Sequence, residues 1–210
     1  MPGFLKTTAI LVLGVATATA GDWLMLFDGT SMEGWSSNNE TEEVFTIDPD
    51  GSLKVEGGRA HLFWMGTATI PGSFTNFQFK AQVKTMPGSN SGIFFHTQYQ
   101  ENGWPSHGYE AQINTTNKDR RKTGSIYAVS DILDDAPSKD GQWFDYEIRV
   151  QGKAISILVD GNMVNEYTEP DDLPMEGISG TRRISSGTFA LQGHDPKSTI
   201  FYRNIRVRIL

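Results

Sequence analysis

The 210-residue sequence has no cysteine, so a hydrophobic core rather than a disulfide framework must supply its stability. It has no apolar run approaching the ~20 residues that a bilayer-spanning helix requires, which excludes a membrane span on this reading. Basic residues are in deficit: 18 Lys and Arg stand against 25 Asp and Glu, for a net charge of −7. An acidic chain with no basic run argues against nucleic acid and against anionic membranes, and leaves neutral or cationic ligands open. Established catalytic signatures are absent too. There is no nucleotide-binding glycine motif, P-loop, H-E-x-x-H or G-x-S-x-G, which argues against a serine triad or a zincin helix. Helical periodicity is nearly missing. What is present is 22 glycines and an aromatic share of 11%, a composition that suits many short strands joined by tight turns and also suits sugar stacking.

The first twenty residues read as a signal peptide. Lys6 supplies a positive n-region, residues 9–15 an apolar h-region, and Ala18-Thr19-Ala20 an A-x-A cleavage site. Cleavage before Gly21 would leave 21–210 as one domain of net charge −8, exported to a periplasmic or secreted location. With no cysteine after the cleavage site, a lipoprotein anchor is excluded.

Strand patterns then follow one another with no internal repeat. Residues 23–27 read as a buried strand closed by Asp28-Gly29, and 53–56 and 59–63 flank Gly57-Gly58, which suits a tight hairpin. Residues 77–86 alternate Phe77, Phe79, Ala81 and Val83 with Gln78, Lys80, Gln82 and Lys84, one dry face and one wet. Residues 91–100 and 108–114 are two more strands, and 143–151, 154–159 and 163–167 form a meander through Gly152-Lys153 and Asp160-Gly161-Asn162. Residues 188–192 and 199–210, joined by Gly-His-Asp-Pro, read as a β-hairpin. A dozen or so short strands point to an all-β fold, a two-sheet antiparallel jelly-roll sandwich. The polar stretches 114–123, 131–142 and 169–186 are expected at the rim, where binding loops lie.

Several polar residues fall where such a scaffold would hold them rigidly. Gln192 and His194 sit where a strand leaves the sheet, a place for a titratable imidazole beside an amide or simply for a surface turn. Glu110 and Gln112 point away from Tyr109, Ala111 and Ile113, toward either a ligand groove or solvent. Asn90 opens and His96 ends the strand around Ile93-Phe94-Phe95. Tyr127, in a strand reading of 124–127, has a hydroxyl for a ligand or for sealing the core edge. His96, His107, Glu110 and His194 are the side chains that a divalent metal would need, at separations that are not diagnostic.

The motifs NSGIFFH (90–96), GYEAQI (108–113), TGSIYAV (123–129), the Trp143-Phe-Asp-Tyr-Glu strand, LVDGNMVNEY (158–167) and SSGTFALQGHDP with FYRNIRV resemble the DUF1080 or 3-keto-disaccharide hydrolase domain family, as does the opening WLMLFDGTSMEGW. The resemblance covers residues 23–210 in the family's order. It implies a concanavalin A-like jelly roll and action on glycosides already oxidised to a ketone at C3. Such a ketone acidifies the C2 proton, so a base can remove it, the C1 aglycone leaves by β-elimination, and water adds for net hydrolysis. Carried over by motif, His194 and Glu110 are the candidate bases or metal ligands. Gln112, Asn90 and Tyr127 are candidate donors to sugar hydroxyls or the enolate, with His96 and Gln192 as further substrate contacts. The sequence departs from the family at His96, where many members carry Arg. Arg120, Arg121, Arg182 and Arg183 fall in rim loops, where they either help at the site or, as exposed arginines usually are, are simply solvated. A functional link to a sugar 3-dehydrogenase would follow from the substrate. The competing readings are a non-catalytic carbohydrate-binding module, with Trp64 or Trp104 as stacking surfaces, and an ordinary glycosidase, which needs a second carboxylate that the motifs do not offer.

Overall fold

The structure is a computed structural model and describes residues 21–38, 43–174 and 181–210; the signal-peptide reading of residues 1–20 lies outside them. Among the described residues thirteen strands follow in order: β1 (Leu24–Phe27), β2 (Trp35–Ser37), β3 (Phe45–Ile47), β4 (Leu53–Glu56), β5 (Ala60–Trp64), β6 (Phe77–Thr85), β7 (Asn90–Thr97), β8 (Tyr109–Asn114), β9 (Phe144–Gln151), β10 (Ala154–Val159), β11 (Asn162–Thr168), β12 (Thr188–Gly193) and β13 (Thr199–Ile209). They form two antiparallel sheets. The larger runs β11-β10-β9-β6-β13-β4-β3, with β1 also pairing β13; the smaller runs β2-β5-β12-β7-β8. Among the described residues no helix is long and apolar enough to cross a membrane.

The two sheets differ in how they meet water. In the larger one, β6 and β13 alternate buried and partly exposed positions, as one-faced strands do. In the smaller one, every residue of β5, β7, β8 and β12 is buried. Its inner face packs Ile93, Phe95, Ala111, Ile113, Phe189 and Leu191 against Phe77, Phe79 and Val83 of the larger sheet. Its outer face carries a small second apolar cluster, Phe63, Phe94 and Ala190, and a row of polar side chains.

The period-2 alternation places nearly every strand, but the connections depart from expectation at three points. β12 and β13 do not pair: they lie in different sheets, and the Gly-His-Asp-Pro segment is an arch across the sandwich. The Gly57-Gly58 turn is also an arch, from β4 in one sheet to β5 in the other. A hairpin and an arch both join two alternating runs through a Gly-rich turn; they differ in whether the strands meet through backbone hydrogen bonds or through their apolar side chains. The third point is residues 124–127, which make isolated backbone bonds to β8 and not a full strand. β2 and β3, three residues each, escape the periodicity altogether.

Two buried tyrosines of the larger sheet tie the layers together. Tyr202 Oη lies 2.8 Å from Ser91 Oγ, whose own proton goes to Gln192 O at 2.6 Å, and Tyr146 Oη donates to Gln112 O at 2.9 Å. Burial raises both phenol pKa values well above the ordinary range, so each stays a donor. Tyr202→Phe removes one such link while leaving Ser91 its acceptor. It should cost about 0.5–1.5 kcal/mol, read in a thermal melt as a fall of about 1–6 °C. An unchanged melting temperature would show that the inter-sheet bond contributes nothing.

Candidate active site

The outer face of β7, β8 and β12 forms the floor of a cavity of ≈ 250 Å³, roofed by Trp104 and Pro105, Tyr127, and Arg182 from three loops. That is somewhat below the ~300–1,000 Å³ of sites for drug-sized ligands and suits one or two small rings. The floor is Asn90, Phe94, Glu110, Gln112 and Gln192, with His194 at the end of β12. Six of the seven substrate or catalytic residues expected from the sequence therefore meet in one place, because Glu110 and Gln112 alternate outward on β8 while Gln192 does so on β12.

The imidazole of the cavity is His194, and its orientation is fixed from both sides. Nδ1 lies 2.7 Å from Asp195 Oδ2, and a carboxylate, which only accepts, puts the proton on that nitrogen. Nε2 then carries the lone pair on the cavity side, where it accepts from Asn90 Nδ2 at 3.3 Å. Asp195 is itself pinned, accepting from Lys197 N at 2.9 Å and Ser198 Oγ at 3.0 Å, while Ser198 Oγ accepts from Asn90 N at 2.9 Å. Burial raises the Asp195 pKa, and the bonds from His194, Lys197 and Ser198 outweigh it, so the net shift is downward and the carboxylate stays charged. Gln112 Nε2 donates to Asn90 Oδ1 at 2.9 Å. Turned end for end it would reach Ser91 O and Glu110 Oε1 at 3.2 Å, but its oxygen would then face Asn90 Oδ1; turning Asn90 as well would take the donor from His194 Nε2.

Glu110 is the buried carboxyl of the cavity, 6% exposed. It lies across Gly92 on the neighbouring strand: a Cβ there would stand 2.5 Å from Oε1, so only glycine leaves the space. Gln192 Nε2 donates to Oε1 at 2.9 Å, and Gln192 Oε1 has no partner among the described residues. Desolvation pushes the Glu110 pKa up to about 7, against the opposing pull of Arg182 and the Gln192 bond. The group is thus poised between acid and base near neutrality.

Tyr127 contributes at the rim. Arg121 and Arg182 flank its ring at 4.7 and 5.4 Å, its hydroxyl lies 3.4 Å from Asp119 Oδ2, and Arg182 also donates to its carbonyl. Trp104 is 43% exposed and lies 5.4 Å from the His194 ring, with Arg59 on its face.

His96 is not brought to the cavity. It is the extra residue of a bulge on β7, where Thr97 and Phe95 face Thr188 and Phe189, and its φ of 56° turns the ring away. Nε2 bonds Thr75 O at 2.9 Å, Nδ1 accepts from Ser185 N at 3.3 Å, and the ring packs on Phe77. Burial depresses its pKa, so it serves as a neutral structural side chain. His107 pairs with Ser106 at the surface. The four-residue metal set suggested by the sequence does not gather, and among the described residues no group of three or more His, Asp or Glu side chains does. Trp64 is buried in the inter-sheet core with its indole N–H on Pro71 O, so it offers no stacking surface.

Two contributors were missed by reasoning from the sequence. Asp195 was visible as the residue after His194, and its Asx-type bonds to Lys197 and Ser198 are what a His-Asp-Pro-x-Ser turn allows. Arg182 reads as a solvated rim cation; nothing local distinguishes it from Arg120, which pairs with exposed Asp134, or from Arg183, which bonds the Leu173 and Pro174 carbonyls.

The sheet order and the roofed cavity define a concanavalin A-like β-jelly roll with a small polar site on its five-stranded sheet. The chain belongs to the 3-keto-α-glucoside-1,2-lyase-like domain family, whose model matches residues 22–208. It is similar to two crystal structures of glycosyl hydrolase candidates from Parabacteroides distasonis. One is 20% identical with a TM-score of 0.73, covering 90% of this chain and 94% of that one. The other is 24% identical with a TM-score of 0.66, covering 90% and 100%. A carbohydrate-binding module of family CBM66 from Bacillus subtilis shares the fold at 15% identity and a TM-score of 0.58, over 83% and 95%. No curated protein matches the sequence.

The buried carboxyl gives a stability test of the site. Glu110 has an ordinary pKa of 4.5 unfolded and about 7 folded, so between these values the folded chain holds the extra proton. That contribution is complete below pH 4.5 and lost as pH rises through 7. Glu110→Gln does not titrate, so its stability relative to wild type should rise by about 2–3 kcal/mol between pH 5 and 8.5. Denaturant unfolding at the two pH values measures this, and a constant difference would mean that Glu110 is not desolvated.

Proposed function

We propose that the protein cleaves 3-keto-glycosides by elimination followed by hydration. The observation that carries this reading is an Asp195-oriented imidazole and a carboxyl of pKa about 7 opening into one cavity. His194 Nε2, proton-free in the tautomer that Asp195 selects, takes the C2 proton, and the electron pair moves toward the C3 carbonyl oxygen. Asn90 Nδ2–H and the Arg182 guanidinium are the donors available to that developing enolate. The C3 carbonyl then re-forms, its pair makes a C1=C2 double bond as the C1–O bond breaks, the C1–O pair leaves on the aglycone oxygen, and protonated Glu110 supplies its proton. Water adds at C1, giving a proton to the Glu110 carboxylate, while the His194 imidazolium returns the proton to C2. The sum is hydrolysis, and both side chains end as they began.

The remaining parts fit a sugar. Gln192 Oε1, buried and unpartnered, is an acceptor for a ring hydroxyl, and Phe94 and Trp104 give apolar surface for a ring face. Because the substrate carries a ketone, a sugar 3-dehydrogenase must act before this protein. The signal-peptide pattern of residues 1–20 supports export, to the periplasm or outside the cell.

Incubation with a 3-keto-glucoside should release the aglycone and, in turn, 3-keto-glucose. His194→Ala should lower kcat/KM by about 10²–10⁴-fold. The rate should fall above pH 7 as Glu110 loses its proton, and Glu110→Gln should be slow and free of that alkaline decline. Binding of unmodified glycans without turnover of the keto-sugar would instead support a binding module and overturn the proposal.

A further inference from the structure

The wet face of the larger sheet, on the far side from the cavity, has a charge pattern that glycoside cleavage does not use. Its two central neighbours, β6 and β13, present Lys80 and Lys84 beside Arg203, Arg206 and Arg208, and neither outward row contains a carboxylate. In a chain of net charge −7 this is a concentration of the minority sign. Lys80 stands directly opposite Arg206 in the ladder, a like-charge pair that works against the sheet. Glu147 on β9 pairs with Lys80 at 3.1 Å and with Arg149 at 3.0 Å, and Asp50 acts on Lys84 and Arg203 from beyond contact; among the described residues Lys84, Arg203, Arg206 and Arg208 make no ion pair.

Two tryptophans divide these cations into clusters. Lys80, Arg206 and Arg208 lie 5.0–5.5 Å from the Trp23 ring, and Lys84 and Arg203 lie 4.8 and 4.1 Å from Trp143. Lys80 and Lys84 are four residues apart on β6, about 13 Å at the rise of a strand. A shallow cavity of ≈ 150 Å³ opens beside Lys80 and Arg206, lined also by Gln82, Asn204, Asp145 and Glu147.

We propose that this face binds an acidic polysaccharide of the uronate type. Its cations are spaced and interleaved with aromatic rings, as carboxylates carried on successive sugars require. The amides and the two carboxylates of the cavity bond hydroxyls. A nucleic-acid duplex, with a charge every ~1.7 Å, would need a denser row of cations than this face presents.

Affinity electrophoresis of the full chain in native gels containing polygalacturonate tests this directly, without any turnover. Retardation is expected, absent with neutral galactan and suppressed by salt. Arg203→Gln with Arg206→Gln should weaken it about tenfold, with Lys84→Gln as a milder second variant, each checked for an unchanged cooperative melt. No retardation by polygalacturonate, equal retardation by galactan, tighter binding of duplex DNA, or indifference of both folded variants would each overturn the assignment.

Discussion

Four strands of the smaller sheet, β5, β7, β8 and β12, are dry on both sides. Ile93, Phe95, Ile113 and Leu191 pack inward, while Asn90, Glu110, Gln112 and Gln192 are covered on the other face by loops. A polar group held out of water must find a partner or change its protonation, and apart from Gln192 Oε1 these groups do one or the other. The amides bond to one another, to His194 or to Glu110, and Glu110 responds by holding its proton to about pH 7. The reactivity of the site is thus a property of its enclosure. The same residues on an open sheet would form an ordinary hydrated surface.

Enclosure also explains why two acid–base groups of different kinds stand side by side. His194 keeps a charged carboxylate at its back and faces the cavity with a lone pair, whereas Glu110 lies against Gly92, bonded by the Gln192 amide and within the field of Arg182. Their environments differ although their strands are nearly adjacent, and pushing two titratable groups apart in this way is how one cavity offers a proton acceptor and a proton donor at a single pH.

Much of this was legible in the order of the residues. Alternation along 108–114 and 188–192 put Glu110, Gln112 and Gln192 on outward faces, and the motifs around them put His194 in the same neighbourhood. What alternation does not encode is which edge or face a strand meets next. Gly57-Gly58 and Gly-His-Asp-Pro have the composition of hairpin turns, yet they are arches: the strands they join lie in different sheets, with Val55, Leu62, Leu191 and Ile200 all in the core between them. His96 was misplaced for a related reason: one extra residue in β7 reverses the side on which the next side chain emerges. Arg182 gains its importance only from tertiary placement over Tyr127 and Glu110.

The arches bear on how the chain reaches this state. Strand β13 sits between β6 and β4 and also receives β1, so that Leu24 lies against Val207. Neighbours in the sandwich are therefore remote along the polypeptide, and loop-closure entropy must be met before those contacts return any stability. A high-contact-order topology of this kind folds on the slow side, on the order of milliseconds to seconds or longer. Until β13 docks, β4, β6 and β1 all carry unpaired edges, and that interval is when the chain is most exposed to pairing with another copy of itself.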